Sequence, residues 1–373
     1  MKKITFLMLH LNYGGIEKQV TTLANLLTQK YKIEIIALYD ILNGKSFYNL
    51  DKRIKVKYLL PYGPNKNEIK NSLKKFKIIT FFKECAKTIK ILWYKYHKIG
   101  KIANTTKTDI LVSSRIEFAK QIKRDDIVTV SQEHSYIDTK KYIRKVKKSF
   151  KHINYLVVMT KLAANKYKEW LMDAAYNINI VVIPNIIEKT NITSTLNYNQ
   201  IISIGRLEDV KDFPTLIDVF EMVHKKHNEV KLKIIGEGSK RKELEEKIEK
   251  LNLKDYITLT GRLDKSKIYE ELSKSDIFVL PSKSESFSLS IGEAMSCGVP
   301  CISFDIDVGP REIITNNEDG FLILNRSKNN MYEKICYLIE NVNKRHEFGM
   351  KAKENIQRFY PENIVHEWEK IFK

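Results

Sequence analysis

Short apolar runs rich in isoleucine and valine alternate with longer segments of helical period along nearly the whole chain. Between the first two runs, Ile16, Val20, Leu23 and Leu27 fall on one face of a helix. This alternation is typical of βαβ units and parallel sheets. In the first half, strands are predicted at 4–9, 33–38, 56–60, 110–113, 127–131, 155–159 and 180–183.

A second series of strands begins after residue 200, at 201–204, 232–235, 257–259, 277–280, 300–304 and 321–323. The segment 184–200 between the two series is polar and lacks periodicity, which is typical of a linker. The sequence therefore predicts an α/β fold of two Rossmann-like, doubly wound domains that face each other across a cleft. Ligand residues are expected on the loops at the carboxyl ends of the strands.

The length and the cysteines agree with this picture. A chain of 373 residues is longer than one hydrophobic core usually organises. The first apolar run follows Lys2 and Lys3, but Asn12 and Tyr13 stand where a signal peptide would have its small-residue cleavage site. No segment reaches the roughly 20 apolar residues of a spanning helix, so we expect a soluble protein. The four cysteines form no CxxC pair and are predicted to be small buried thiols, as suits a reducing cytoplasm.

The formal net charge of +20 predicts attraction to an anionic partner. Segment 64–101 has eleven lysines and two glutamates, and in segment 140–151 seven of twelve residues are basic. In the second segment Ile143, Val146 and Phe150 recur at helical spacing, and such an apolar stripe in a cationic surround can lie on anionic lipid. A solvated, lysine-rich face explains both segments equally well.

In the first domain, candidate ligand residues follow two of the predicted strands. Gly14 and Gly15 open the first helix, where backbone amides can face a phosphate or a sugar. A structural tight turn explains these glycines as well. Glu133, His134 and Ser135 come after the strand at 127–131, although a lone histidine is more often structural.

In the second domain, the first strand ends at Gly205 and Arg206, and Lys211 comes just before the next helix. A guanidinium and an ammonium at one strand end suit a diphosphate, because they neutralise the charge that builds on it as a leaving group. The next two strands end at Gly236 and just before Arg262, where glycine permits the backbone to approach a ligand closely.

Two glutamates, Glu285 and Glu293, stand eight positions apart after the strand at 277–280. Glu285 falls in the loop and Glu293 about one and a half turns into the following helix. Helical adjacency therefore does not make them a paired acid and base. Leu289, Ile291 and Met295 surround Glu293 with apolar positions, which disfavours simple solvent exposure.

The order Pro281-Ser282, Glu285, Glu293 and then the run to Pro300 resembles the large GT4 family of retaining glycosyltransferases, which have the two-domain GT-B fold. The resemblance covers nearly the whole chain. It implies an acceptor-binding domain at 1–188, a nucleotide-sugar domain at 199–355 and a terminal helix, 356–373, that crosses back to the first domain.

The resemblance also implies a role for each candidate residue. Arg206 and Lys211 would hold the donor diphosphate, Glu293 the ribose hydroxyls, and Glu285 the donor sugar. His134 would approach the sugar near the reacting carbon. Retention would proceed by front-face attack, with the leaving diphosphate accepting the acceptor's proton, so that no protein base is required. The remaining donor contacts would be Gly14, Gly15, Gly205, Gly236, Arg262, Ser286, Phe287 and Ser288.

Two departures bear on the donor and on metal binding. The family often has Glu-Gly-Phe-Gly where this chain has Glu285-Ser286-Phe287-Ser288, so the identity of the sugar is open. The segment 303–314 resembles members that use UDP-hexoses or UDP-N-acetylhexosamines. Asp305 and Asp307 imitate the DxD metal motif of another glycosyltransferase fold, but they follow a strand of a GT-B-like half, and the family does not depend on a metal.

We therefore expect transfer of a hexose or N-acetylhexosamine from a UDP-sugar, with no metal or other cofactor, to a lipid-linked or polymeric cell-surface glycan such as capsule, exopolysaccharide, O-antigen or teichoic acid. The expected location is the cytoplasm, at the periphery of the inner membrane face, with segments 64–101 and 140–151 as candidate contacts. A nucleotide-sugar epimerase or a phosphorylase on the same scaffold is an alternative. A basic nucleic-acid-binding protein is an alternative of another class, but no zinc-finger, RNP or helix-turn-helix signature supports it.

Overall fold

The computed structural model describes residues 1–134 and 137–373, which form two compact units. Unit 1 comprises Met1–Ile186 together with Val365–Lys373, and unit 2 is the continuous segment Ile187–Ile364. Each unit contains one parallel sheet and the helices that connect its strands.

The sheet of unit 1 has seven strands in the order β3-β2-β1-β4-β5-β6-β7. All of its pairings are parallel, and β1 lies between β2 and β4. The strand order therefore reverses between β1 and β4, the position at which doubly wound sheets bind ligands beyond their carboxyl ends. The strands are β1 (Lys3–Met8), β2 (Lys32–Tyr39), β3 (Lys55–Leu60), β4 (Ile110–Ser113), β5 (Val128–Glu133), β6 (Tyr155–Val158) and β7 (Asn179–Val182).

Seven helices connect these strands, and hydroxyl or amide side chains begin three of them. Asn65, Thr139 and Thr160 each accept a hydrogen bond from a backbone amide of the first turn, which satisfies a donor that the helix itself leaves unpaired. A π-helical turn at Tyr94–Lys98 joins the third helix to the fourth. The helices are α1 (Gly15–Leu27), α2 (Lys66–Lys74), α3 (Ile78–Trp93), α4 (Ile99–Thr105), α5 (Ile116–Ala119), α6 (Lys140–Val146) and α7 (Lys161–Leu171).

Unit 2 repeats this plan with six parallel strands in the order β10-β9-β8-β11-β12-β13, so its order reverses between β8 and β11. The strands are β8 (Gln200–Ile204), β9 (Lys231–Ile235), β10 (Ile257–Gly261), β11 (Ile277–Leu280), β12 (Cys301–Phe304) and β13 (Gly320–Ile323). The helices of unit 2 are α8 (Phe213–Lys226), α9 (Arg241–Lys250), α10 (Lys265–Ser273), α11 (Leu289–Ser296), α12 (Pro310–Ile313), α13 (Lys328–Glu340) and α14 (Val342–Asn355). The last helix, α15 (Pro361–Ile371), begins in unit 2 and continues into the segment Val365–Lys373 of unit 1.

The predicted strands are confirmed, with ends that move by at most two residues. The central strands are nearly uninterrupted apolar runs because they are buried on both faces, which is typical of parallel sheets that carry helices on each side. All four residues of β11 are fully buried, and so are Ile110, Leu111 and Val112 of β4. Each of these strands lies inside its sheet, with a neighbouring strand on both edges.

The basic segment 140–151 directs its apolar stripe into the core of unit 1. Val146 and Phe150 are fully buried, and Ile143 packs against the same cluster. The stripe that was one candidate for a lipid contact is therefore part of the core. Within the described part of the chain, none of the helices combines the length and apolar character needed to cross a bilayer.

Candidate functional site

The loops after β8 and β11 bring Lys211 and Glu285 together in unit 2. The Lys211 ammonium pairs with Oε1 of Glu285, and the Ser282 hydroxyl donates to the same oxygen at 2.6 Å. The two side chains are only 17% and 10% exposed, so their attraction is little screened by water. A Cβ at Gly205 would lie 3.3 Å from the Lys211 stem, so glycine leaves room for this lysine. An anionic ligand here would share a cation that Glu285 already positions.

Arg326 holds these two loops to one another, and the sequence had not indicated it. Its guanidinium donates to the carboxylate of Asp212, directly after Lys211, and to the carbonyl oxygens of Ser282 at 2.6 Å and Pro281 at 3.0 Å. The same group lies 4.3 Å from the ring centroid of Phe304. Arg326 comes from the end of β13, so no local pattern connects it to the loops it braces.

Gly309 is a second residue that sequence reasoning missed. Its φ of +104° is a conformation that side chains with a Cβ rarely adopt. A Cβ at this position would also lie 2.8 Å from the Cβ of Glu285. The only sequence signal is the Gly309-Pro310 step that begins α12. This glycine therefore makes the space in which Glu285 sits.

The three residues after Glu285 differ in what they can offer a ligand. Phe287 is 2% exposed and packs edge-to-face with Phe359 at 5.3 Å, so only its backbone remains for binding. Ser288 has a left-handed φ of +74° and precedes α11. Its buried Oγ has no hydrogen-bond partner in the part of the chain that the structure covers. Ser286 is half-buried. The helix N-terminus after Ser288 favours an anion.

Glu293 lies in the middle of α11, in a different polar group from Glu285. It is half-buried beside Tyr269 and Cys297. Burial, and to a smaller extent the Glu293 charge, raises the pKa of Cys297 to about 12 and also raises the pKa of Tyr269. The two glutamates thus occupy separate surroundings, as their placement on a loop and a helix predicted.

Gly236 has a structural explanation in contacts between loops. Its φ is +151°, and a Cβ would lie 1.8 Å from the carbonyl oxygen of Gly205. Its amide donates to the carbonyl of Gly261 at 2.9 Å. Three strand ends therefore meet backbone to backbone. Arg206 and Arg262, which follow two of these glycines, are exposed.

In unit 1, the two glycines after β1 are not equivalent. A Cβ at Gly14 would lie 2.0 Å from the Glu17 carboxylate, whereas a Cβ at Gly15 would meet nothing within 4 Å. The Tyr48 hydroxyl lies 3.4 Å from the amide nitrogen and 3.2 Å from the carbonyl oxygen of Gly14. Packing thus explains Gly14 and leaves the space at Gly15 open.

A group of titratable side chains that the sequence analysis did not single out surrounds this turn. His10 Nδ1 accepts from the Asn12 amide at 3.3 Å and lies 3.4 Å from the Glu17 carboxylate. Burial, and next the charge of Arg115 after β4, lowers the pKa of His10 to about 4. Burial raises the pKa of Glu17. His10 and Arg115 follow the two strands that flank the point where the strand order reverses, which is the signal that could have found them.

His134 follows β5 in the same unit. Burial, and next the charge of Arg115, lowers its pKa to about 3, so the imidazole is neutral near pH 7. Its enclosed Nε2 has no hydrogen-bond partner among residues 1–134 and 137–373. Burial raises the pKa of the neighbouring Glu133 to about 7, and this carboxyl accepts from Ser131 at 3.1 Å and from Tyr142 at 3.2 Å. Ser135 lies outside the described residues.

Side chains able to bind a metal ion meet at one place in the described ranges. Ligand atoms of His227, Cys336 and Glu340 lie within 4.8 Å of one another. The Lys226 ammonium lies 2.5 Å from the Glu340 carboxylate and competes with any cation there. His227 follows the carboxyl end of α8, at the edge of the sheet opposite to the loops described above. Asp305 belongs to the sequence that resembles a DxD metal motif. Its carboxylate accepts two hydrogen bonds from Arg311.

Comparison with known proteins relates the chain to one family. Residues 184–355 match the family model described as glycosyl transferases group 1. A Staphylococcus aureus poly(ribitol-phosphate) alpha-N-acetylglucosaminyltransferase is 31% identical over 68% of this chain and 51% of its own length. A Campylobacter jejuni alpha-1,4-N-acetyl-D-galactosaminyltransferase, named for a diNAcBac-PP-undecaprenol glycan, is 25% identical over 100% of this chain and 98% of its own.

Among solved structures, a point mutant of S. aureus TarM in complex with Fondaparinux, alpha-GlcNAc-glycerol and UDP is 20% identical. It matches 100% of both chains with a TM-score of 0.77, a likeness that concerns the fold. Two of the curated relatives are much longer than this chain, which spans 40% and 51% of their lengths.

Proposed function

Since this chain belongs to the group 1 glycosyl transferases and has the GT-B fold, we propose that it is a retaining enzyme of the GT4 family. In this proposal it moves a hexose or N-acetylhexosamine from a UDP-sugar to a lipid-linked or polymeric cell-surface glycan. The observation that carries the proposal is the mostly buried pair of Lys211 and Glu285 at the carboxyl ends of β8 and β11. It supplies a cation and a sugar-binding carboxylate at the position where doubly wound sheets bind ligands.

The pair suits a reaction whose leaving group is a diphosphate. As the bond between the anomeric carbon and the diphosphate oxygen breaks, negative charge builds on the nucleotide. Arg206 and Lys211 neutralise that charge, and the amides at the N-terminus of α11 can do the same. Glu285 accepts hydrogen bonds from sugar hydroxyls, and Glu293 from the ribose. We propose that these cations make a metal ion unnecessary.

We propose that the reaction retains the configuration of the anomeric carbon. The acceptor oxygen attacks the anomeric carbon on the face that the diphosphate leaves, and the acceptor's proton passes to a diphosphate oxygen. No protein base takes part. The neutral imidazole of His134 can hydrogen-bond a sugar hydroxyl without placing a second positive charge beside the one that develops on the anomeric carbon. The names of the staphylococcal and Campylobacter relatives specify alpha linkages, which supports retention if the donor is an α-linked UDP-sugar.

The choice of donor and acceptor rests on the relatives. Both of those enzymes are named as transferases of N-acetylhexosamines, one to a poly(ribitol-phosphate) and one to an undecaprenol-linked glycan. We propose UDP as the nucleotide and an acceptor of one of these two types. A lipid-linked acceptor places the reaction at a membrane, so we also propose that the chain acts as a peripheral protein on the inner membrane face.

The proposal is tested with a panel of UDP- and GDP-sugars and lipid-linked acceptors. Nucleotide release, product mass and the anomeric configuration by NMR are measured, with and without a chelator. We expect one UDP-sugar to give an α-linked product at a rate that the chelator does not change. Arg206→Ala should lower the rate about 100-fold, because one charge that stabilises the leaving group is lost.

Lys225→Ala, at an exposed lysine on α8, is the matched control and should leave the rate unchanged. Equal rates for Arg206→Ala and wild type would contradict the proposed donor site. Donor conversion without an acceptor would point instead to an epimerase, and dependence on inorganic phosphate to a phosphorylase.

A further inference from the structure

An exposed apolar ridge runs along α3. We use the term apolar ridge for Ile79, Phe82, Ile89 and Trp93 on one face of this helix, together with Phe76 at the tip of the α2–α3 hairpin. Their exposed fractions are 86%, 66%, 67%, 52% and 89%, respectively. From Ile79 to Trp93 the ridge is about 21 Å long at the rise of an α-helix. Contiguous apolar surface of this kind usually marks an interaction site.

The opposite face of α3 holds the helix on unit 1. Ile91 is 5% exposed and belongs to the core cluster, and Glu84 is 5% exposed and pairs with Lys87 at 2.7 Å. Lys87 also lies 5.7 Å from the ring centroid of Tyr62. The apolar ridge is therefore outward-facing because the helix already buries another face.

The exposed charged residues of α3 are lysines. Glu84 is the only acidic residue of α3, and it is buried and paired. The lysines beside the ridge and the tip are exposed, namely Lys74, Lys75, Lys77, Lys83 and Lys90. A helix with an apolar face flanked by lysines is typical of segments that lie in the headgroup region of an anionic bilayer.

Two other occupants fit this surface less well. A second copy of the chain in a twofold contact would bring the same lysines towards each other, because both sides of such an interface are the same patch. A nucleic acid would engage the lysines, but it has no partner for the aliphatic side chains of Ile79 and Ile89 at the centre of the ridge.

We propose that the apolar ridge inserts into the headgroup region of an anionic lipid surface, and that segment 140–151 does not. The second segment is equally basic, but Val146 and Phe150 are fully buried in the core. It therefore offers lysines without an apolar anchor. This inference rests on the proposed function for its purpose, which is to bring the enzyme to a lipid-linked acceptor.

The α2–α3 hairpin is connected to the sheet of unit 1 at the carboxyl ends of its strands. The segment leading to α2 leaves the sheet at the carboxyl end of β3, and the carboxyl ends of parallel strands lie at one edge of a sheet. Gly15 and His134 follow the carboxyl ends of β1 and β5 at that same edge of unit 1. Binding through the hairpin thus anchors unit 1 by the segment that leaves its ligand-binding edge.

Trp93 gives a direct readout. Among the three tryptophans, Trp170 and Trp368 are 5% and 1% exposed, whereas Trp93 is 52% exposed. The full chain is mixed with vesicles of phosphatidylcholine alone or of phosphatidylcholine and phosphatidylglycerol in equal parts. We expect a blue shift of tryptophan emission and co-sedimentation with the anionic vesicles only, and loss of the blue shift in Trp93→Phe.

Two pairs of variants locate the contact. Ile79→Ser/Phe82→Ser should weaken binding at least tenfold, and Met172→Ser, at a residue of unit 1 that is 80% exposed, should not. Lys83→Gln/Lys90→Gln should weaken binding more than Lys147→Gln/Lys148→Gln. Equal binding to both vesicle types, equal effects of the two lysine pairs, or a lipid-free dimer that Ile79→Ser/Phe82→Ser dissociates would overturn the inference.

Activity separates this inference from the proposed function. Ile79→Ser/Phe82→Ser should raise the KM for an acceptor embedded in vesicles at least tenfold and leave kcat unchanged. Its transfer to a water-soluble acceptor analogue should equal that of wild type. If wild type transfers no sugar to either acceptor, the proposed function fails, whereas the vesicle measurements still decide the membrane contact.

Discussion

The carboxyl edges of the two sheets use ionisable side chains in opposite ways. In unit 2, Lys211 and Glu285 form an ion pair, and Arg326 forms another with Asp212. In unit 1, burial favours the neutral forms of His10, with a pKa lowered to about 4, and of the carboxyl of Glu133, with a pKa raised to about 7. The first arrangement suits a ligand whose charge changes during a reaction, and the second suits hydrogen bonding to neutral hydroxyls.

The largest effect should follow from removing a charge of unit 2. Lys211→Ala should lower kcat about 100- to 1000-fold, because the leaving diphosphate loses a preorganised cation. His134→Gln in unit 1 should lower it only about fivefold, since one neutral hydrogen bond is worth about 1 kcal/mol. Single-turnover measurement of UDP release compares the two. If the two substitutions lowered kcat equally, the proposed difference between a charged ligand site in unit 2 and a neutral one in unit 1 would be wrong.

Glycine substitutions extend the comparison to the backbone. Gly236→Ala should destabilise unit 2 by about 3 kcal/mol, because its φ is positive and the new methyl group would meet the Gly205 carbonyl. Gly15→Ala in unit 1 should leave stability unchanged or raise it by up to about 1 kcal/mol, because it begins α1 in open space.

Calorimetry measures the stabilities of these two variants, and the KM for the donor is measured beside them. A raised KM in Gly15→Ala without any loss of stability is expected if a diphosphate approaches this turn. Gly15→Ala with an unchanged KM would remove Gly15 from the donor site.

A substitution at Arg326 tests whether activity depends on its contacts with the loops after β8 and β11. Arg326→Lys keeps the charge but cannot reproduce the fork that reaches Asp212 and two carbonyl oxygens at once. We expect kcat to fall about tenfold, or about 1.4 kcal/mol of transition-state stabilisation, with a pH profile like that of wild type. Lys328→Arg, at an exposed position of α13 that pairs with Asp218, is the control. Wild-type kcat in Arg326→Lys would show that the loops hold their positions without the fork.

The smallest expected effect concerns the pH dependence of unit 1. Because folding raises the pKa of Glu133 from 4.5 to about 7, its contribution to stability is present below pH 4.5 and is lost as the pH rises to 7. Glu133→Gln should therefore be more stable than wild type at pH 8 by roughly 2 kcal/mol, and not at pH 4.5. The lowered pKa of His10 acts in the opposite direction, with stability lost as the pH falls from 6.5 to 4.

All three tryptophans belong to unit 1, so urea unfolding followed by tryptophan emission measures this unit. A stability difference between Glu133→Gln and wild type that does not change between pH 4.5 and pH 8 would contradict the buried, proton-binding carboxyl.

Much of the fold could be predicted, because most strands are short apolar runs. The prediction of the GT-B fold is confirmed by the likeness to TarM, and the predicted family agrees with the match of residues 184–355 to the glycosyl transferases group 1. The sequence left open whether the apolar stripe at 140–151 contacts lipid, because periodicity identifies an apolar face but not what covers it; in the structure this stripe is buried in the core. Val146 and Phe150 would give the same pattern on a lipid-facing helix.

The candidate site was predictable only where its residues share a segment of chain. Glu285 and Lys211 were found because each follows a strand. Arg326 and Gly309 were missed, since they act through contacts with loops that lie far away in sequence. His10 and Arg115 were missed because neither belongs to a recognisable motif. The assignments of donor, sugar and ribose contacts stay predictions.

The division of the chain has a consequence for biosynthesis. Unit 1 includes residues 365–373, where Trp368 and Phe372 are each 1% exposed and the Lys2 ammonium donates to the carbonyl oxygen of Phe372 at 3.0 Å. These residues leave the ribosome only after the whole of unit 2. The unit that begins first is thus completed last, and its core must wait, incomplete, while unit 2 is synthesised and can fold. A chain truncated after residue 364, and tethered to the ribosome by a linker long enough to fill the exit tunnel, should therefore hold a protease-resistant unit 2 beside a protease-sensitive unit 1.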